Sequence, residues 1–229
     1  MLEIEYLVQN KMKKTKVAII INFIIFIFMV FALIMALTGL SFDMTIKKHS
    51  IRIFKYFTTL SNILMGLVAL MLAIVEIISL KNNKSINKIY YFIKYIATIS
   101  VTITFLTVAL FLAPVFYGKR FFDAFHDTNF FYHFLNPVLS IIVFLFFENT
   151  KTIKFKQTFF GLIPFALYSI YYVIEAVTHM DNGKVMNGYD WYGFFYFGIP
   201  MFFVLMLFMF ALTYGISFSL YKINNKLCK

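Results

Sequence analysis

Apolar residues fall into six long runs, and polar residues collect in the short breaks between them. A bilayer core of ~30 Å is crossed by about 20 helical residues. The runs therefore predict six transmembrane helices, at about 17–39, 56–80, 90–116, 129–147, 157–178 and 193–221. The first, at 23 residues and about 1.5 Å per residue, reaches about 35 Å. It is longer than the apolar part of a secretory signal, and Thr38-Gly39-Leu40-Ser41 makes a poor cleavage site, so an uncleaved helix is expected. Backbone in lipid must satisfy its own hydrogen bonds, which makes every run a helix. Pro114 and Pro200 are expected near helix ends. Pro137 and Pro164 are expected in or near first turns, where a missing N–H matters least.

Composition narrows the class. Charged residues make up 14% of the chain, against about 25% in a soluble domain, so there is too little polar surface to cover a water-soluble globule. The fold class is all-α, a polytopic membrane bundle forming one domain over residues 1–229. The net charge of +11 resembles that of a nucleic-acid binder, but the lysines sit at the ends of the apolar runs, where topology and anionic lipid call for them. No nucleic-acid partner is expected. The single cysteine, Cys228, rules out a cysteine-based metal site. An excess of Phe, Ile, Lys and Asn is what A/T-rich codons produce, and it points to a bacterial plasma membrane.

Orientation follows from the loop cations. The N-terminal segment, 81–89, 148–156 and the C-terminal segment hold 13 Lys and Arg; loops 40–55, 117–129 and 179–192 hold seven. The richer set faces the cytoplasm, so both termini are inside. Loop 40–55, with Lys47, Lys48, Arg52 and Lys55, runs against this trend. Tyr189, Trp191 and Tyr192 are expected at the outer interface as membrane aromatics.

That topology gathers polar groups at the outer end. His49, His126, His133 and His179 all fall there. Thr58 and Asn62 share a face of the second helix, and His133 and Asn136 a face of the fourth. Tyr168, Tyr172, Glu175 and His179 make a polar stripe on the fifth. Ionisable groups at such depth face a bundle interior or a water-filled cavity. A threonine hydroxyl needs a base beside it to act as a nucleophile, and histidine is suited to that task near neutrality. Asn62 would supply an oxyanion donor, and Asn136 and Tyr172 would support the site. Glu175 would orient or tune His133. Interhelical hydrogen bonding explains Asn62 and Asn136 equally well, and Thr98, Thr102, Thr104 and Thr107 are expected to bond their own helix or a neighbour. Glu76 and Lys94 are expected at the inner interface.

The stretch Lys55-Tyr56-Phe57-Thr58-Thr59-Leu60, followed by Tyr132-His133-Phe134-Leu135-Asn136-Pro137, resembles the androgen-induced-protein family of small multi-pass membrane proteins. Ser61-Asn62 and Tyr189-Asp190-Trp191-Tyr192 resemble its bacterial branch. The resemblance implies a six-helix-like bundle with a threonine–histidine pair, and the animal members are similar to intramembrane hydrolases of fatty acid esters of hydroxy fatty acids. By position Thr58 would be the nucleophile and His133 the base. Thr59, adjacent, leaves the register open by one residue, and Glu175 stands where a basic residue is the bacterial pattern. The expected function is hydrolysis of a lipid or fatty-acyl ester near the outer leaflet, with a membrane lipid as partner and no cofactor or metal. Two alternatives stand beside it. One is a carrier or channel for a small solute or lipid, which needs a cavity continuing to the cytoplasmic side. The other is a metal-dependent hydrolase built from Asp123, His126 and Asp127 with His133 or His179.

Overall fold

The computed structural model describes residues 2–42, 51–148 and 153–228. Lys47, Lys48 and His49 lie outside them. Six helices are long and apolar enough to cross a membrane. They are α1 (Leu2–Thr38, crossing from Met12), α2 (Phe57–Asn82), α3 (Lys88–Val115), α4 (Thr128–Phe147), α5 (Phe155–Thr178) and α6 (Ile199–Leu227). The protein is an all-α polytopic bundle and an integral membrane protein. Its outer surface is apolar: Leu207 is 72%, Phe203 64% and Leu167 63% exposed, which suits lipid and not water.

Five helices begin or end within a few residues of where the apolar runs place them. α6 differs. It starts at Ile199 instead of about 193, because residues 193–198 form turns in which Gly193 and Gly198 have φ of 69° and 85°. A helix cannot continue through that left-handed region. The segment before it folds as a hairpin, Met180–Asp181 paired antiparallel with Lys184–Val185, joined by Asn182-Gly183. Both joining residues have positive φ, the geometry that two-residue hairpin loops require.

Prolines shape three of the helices. α3 is α-helical to Thr107 and widens from Val108 into π-helical turns that contain Pro114. α5 opens as a 3-10 helix over Phe155–Leu162, and Pro164 sits in the first turn of the α-helix that follows. In α4 the turns at Phe131–Leu135 are π-helical and Pro137 comes directly after them. Pro137 is therefore not at a helix start but inside the span. Its missing N–H leaves the Tyr132 carbonyl, five residues back, without its π-helical donor. Asn62 Nδ2 fills that place from α2 at 3.1 Å.

Close approach of helices depends on two glycines. At Gly66 an added Cβ would lie 2.5 Å from Met29 Cε and 2.9 Å from Met29 Cβ, so α1 and α2 touch there with no room for a side chain. At Gly161 it would meet Ile99 Cδ1 at 2.5 Å and Ser217 Oγ at 2.7 Å, where α5, α3 and α6 converge. Small residues are the usual means of such contact in membranes. Hydrogen bonds tie the same junction: Tyr95 O–H donates at 2.7 Å to the Ser217 carbonyl, and Ser217 Oγ donates to the Thr158 carbonyl at 2.7 Å.

Candidate functional site

The N-terminal end of α2 is built from two sides. Phe57 N–H, at the start of the helix, donates to the Tyr192 hydroxyl at 2.9 Å. Tyr168 on α5 donates to the Lys55 carbonyl at 2.6 Å and accepts from Trp191 Nε1 at 2.9 Å. Asp190 accepts from Phe195 N–H at 3.0 Å, and Tyr172 donates to its other oxygen. Trp191 packs edge-on to Tyr172 with ring centres 5.0 Å apart, and the Lys55 ammonium lies 5.0 Å above the Trp191 ring. Tyr189 stacks on His179 at 3.6 Å. Trp191 and Tyr192 thus fold back onto the ends of α2 and α5 as a lid.

Beneath this lid is a cavity of about 380 Å³, within the 300–1,000 Å³ of ordinary ligand pockets. Thr58 and Thr59 from α2, Thr107 from α3 and His133 from α4 form its polar wall. Tyr168, Tyr172 and Tyr192 form the wall below the lid. Ile103, Phe165, Met206 and Met209 make the remaining surface apolar. Apart from Phe165, near the middle of α5, the helical positions among these lie in the halves of their helices nearer the lid. Towards the other end of the bundle, side chains such as Tyr95, Ile99 and Phe144 are packed together, none more than 1% exposed. None of these three residues lines the cavity.

Thr58 and His133 therefore line one space, from helices 75 residues apart in sequence. No hydrogen bond joins His133 to either threonine. Its Nδ1 is buried and has no partner, while the Ala124 backbone interacts with the ring. Thr59, 4% exposed, lines the cavity too, so the geometry leaves both threonines as hydroxyl donors. Tyr172 lines the cavity with its hydroxyl committed to Asp190.

Three of the expected roles change. Asn62 is fully buried and donates its two amide hydrogens to the Thr58 carbonyl, at 2.9 Å, and the Tyr132 carbonyl. With both hydrogens used it is no oxyanion donor. Asn136 Nδ2 donates to Asn62 Oδ1 at 3.2 Å, so the pair bridges α2 and α4 behind the cavity wall. Glu175 does not reach His133. Half-buried, it is absent from the cavity lining and lies within electrostatic reach of Tyr171, which is 39% exposed. Its carbonyl, not its carboxylate, contacts His179 Nδ1 at 2.9 Å. Among the α3 threonines, Thr98, Thr102 and Thr104 bond carbonyls of their own helix at 2.6–3.1 Å. Thr107 is the exception: its hydroxyl is buried, unpartnered and in the cavity wall.

Tyr192 is a site residue that the sequence pattern does not single out. Its oxygen accepts the Phe57 N–H, its hydroxyl interacts with that of Tyr168 and with the Thr58 backbone, and the side chain lines the cavity beside Thr58. Burial pushes the Tyr192 phenol above its usual range, so it stays a protonated donor. The acid–histidine loop behaves differently. Arg120 pairs with Asp123 at 3.5 Å and His126 with Asp127 at 3.1 Å, all exposed but for the half-buried Asp127. Among the described residues no three His, Cys, Asp or Glu side chains gather as metal ligands would.

No protein-family model matches the chain, and no curated protein or solved structure is similar to it.

Proposed function

We propose that the protein is an intramembrane hydrolase of fatty-acyl or other lipid esters, with Thr58 as nucleophile and His133 as general base. The observation that carries this reading is that a threonine hydroxyl and an imidazole with an unpartnered nitrogen line the same cavity, otherwise mostly apolar. It extends the resemblance to the androgen-induced-protein family. The confinement of the helical lining residues to the lid side and middle of the bundle favours it over a carrier, which needs a path onward to the other side.

In the proposed reaction His133 takes the Thr58 proton as the hydroxyl oxygen attacks the ester carbonyl. The carbonyl electron pair moves to oxygen, and the oxyanion is met by the Tyr192 O–H and the positive end of α2, at whose first turn Thr58 stands. The intermediate collapses, the C–O bond to the alcohol breaks, and His133 returns the proton to the leaving oxygen. Water then adds to the threonyl ester, giving a proton to His133. The acid leaves and the proton returns to Thr58. Ile103, Met206 and Met209 offer an apolar surface for the acyl chain.

The chain belongs, on this reading, in a bacterial plasma membrane, with both termini inside and the cavity near the outer leaflet. Purified protein in detergent, offered medium-chain fatty-acyl esters, is expected to release acid. Thr58→Ala and His133→Ala are each expected to abolish turnover, and Thr59→Ala to retain it. Wild-type rates in Thr58→Ala and His133→Ala would remove the proposal.

A further inference from the structure

The opposite, inner half of the bundle holds a second polar cluster that ester hydrolysis does not use. Asn22 on α1, Glu76 on α2, Lys94 on α3 and Glu148 directly after α4 are 0%, 1%, 0% and 2% exposed. Glu76 and Lys94 are thus not interfacial, as their nearness to helix ends suggests, but sealed inside. Lys94 Nζ donates to Asn22 Oδ1 at 2.5 Å, and Asn22 Nδ2 donates to Glu148 Oε1 at 2.5 Å. Lys94 Nζ is 4.0 Å from the same Glu148 oxygen. Glu76 lies within electrostatic reach of Glu148 and Lys94 and interacts with the Asn22 amide. Tyr91, one turn before Lys94 on α3, is within reach of both carboxyl groups. The groups that face one another here are therefore Asn22, Glu76, Tyr91, Lys94 and Glu148, from four segments.

Two carboxylates stand against one ammonium. A buried charge without compensation is costly, and such a group neutralises itself where it can. The hydrogen bonding is short of a donor in the same place. Glu76 Oε2 and Glu148 Oε2 are both buried and neither has a partner. The two glutamates are not equivalent. Glu148 has the ammonium at 4.0 Å and a short amide donor, whereas no Lys or Arg lies within ion-pair distance of Glu76 among the described residues. Lys94 Nζ already occupies the position between the Asn22 and Glu148 oxygens that a metal cation would take.

We infer that Glu76 and Glu148 hold one exchangeable proton between them, seated on Glu76, and that this cluster is a proton-binding site in the inner half of the membrane. The carboxylate takes the proton from hydronium at the inner surface, giving a carboxyl group and water. Its loss leaves an unbalanced negative charge between α1, α2, α3 and α4, so proton occupancy at this end sets how tightly those helices pack.

The test is infrared spectroscopy of the full chain in phosphatidylcholine nanodiscs, titrated with pH. The expected spectrum at neutral pH contains a protonated-carboxyl carbonyl band that shifts in D₂O and fades as pH rises. Glu76→Gln and Glu148→Gln are each expected to lose it, the second because one carboxylate then faces one ammonium. Lys94→Met is expected to strengthen it. A wild-type spectrum without this band, or a band unchanged in both glutamine variants, would overturn the inference. So would a melting temperature that rises in sodium chloride over choline chloride in wild type and not in Glu76→Gln, since that marks a metal cation. The wild-type titration decides even if a variant fails to fold, and none of these results bears on Thr58 and His133.

Discussion

Replacing Asn62 by Leu removes one carboxamide that serves two helices. Its Nδ2 donates to the Tyr132 carbonyl at 3.1 Å, the acceptor that Pro137 leaves without a backbone donor, and its Oδ1 accepts from Asn136 at 3.2 Å. The change orphans a buried carbonyl and a buried amide. Each such orphan costs about 1–3 kcal/mol in water-soluble proteins, and interhelical hydrogen bonds in membranes average ~0.6 with a maximum near ~1.7 kcal/mol, so the loss is expected at about 2–4 kcal/mol. That is roughly 30- to 1,000-fold in the unfolding equilibrium. Unfolding in mixed micelles of dodecyl sulfate can be followed by the fluorescence of Trp191, the single tryptophan. A control separates this account from simple loss of packing. Pro137→Ala restores an N–H to α4 that can reach the Tyr132 carbonyl, so Asn62→Leu should cost at least ~1 kcal/mol less in that background. Equal costs in both backgrounds would refute the idea that Asn62 answers for the proline.

Other outcomes follow from the same geometry. Gly161→Ala sets a methyl against Ile99 and Ser217 and should destabilise by about 1–3 kcal/mol in the same unfolding assay. Tyr192→Phe should lower kcat by about 100-fold with KM little changed, the loss typical of one oxyanion donor. Because burial raises the Tyr192 phenol, the protonated form is lost only above the ordinary range near ~10, and an alkaline limb of the rate profile assigned to this residue should lie above that pH. Cys228, partly exposed at the end of α6, should react with a membrane-impermeant maleimide in inside-out vesicles and not in intact cells. Labelling from outside would reverse the orientation read from the loop lysines.

The spans were legible because lipid imposes one requirement on each of them separately: a helix of about 20 apolar residues. The start of α6 was not, since the aromatic residues 194–197 look like membrane helix while Gly193 and Gly198 turn the backbone out of it. Depth was legible too. Counting turns from the outer surface puts Thr58 on α2 level with His133 on α4, and the two line one cavity. Direction was not. Glu175 is at the depth that was expected, on a face that a polar stripe does not determine. Asn62 was readable as donor or as interhelical link, and only the position of Pro137 just after a π-helical stretch, which sequence does not reveal, decides between them. The inner cluster was least legible. Asn22, Glu76, Lys94 and Glu148 are spread over 126 positions, and Glu76 and Lys94 taken alone read as residues near a membrane surface.

The proposed chemistry is tested most directly by trapping the nucleophile. Wild-type protein is incubated with a long-chain fluorophosphonate, digested, and the adduct located by fragment mass spectrometry. The account expects a phosphonyl group on the Thr58 oxygen, absent in His133→Ala. An adduct on Thr59 would move the nucleophile by one residue. Labelling that leaves Thr58 and Thr59 unmodified, or that persists in His133→Ala, would contradict the threonine–histidine assignment.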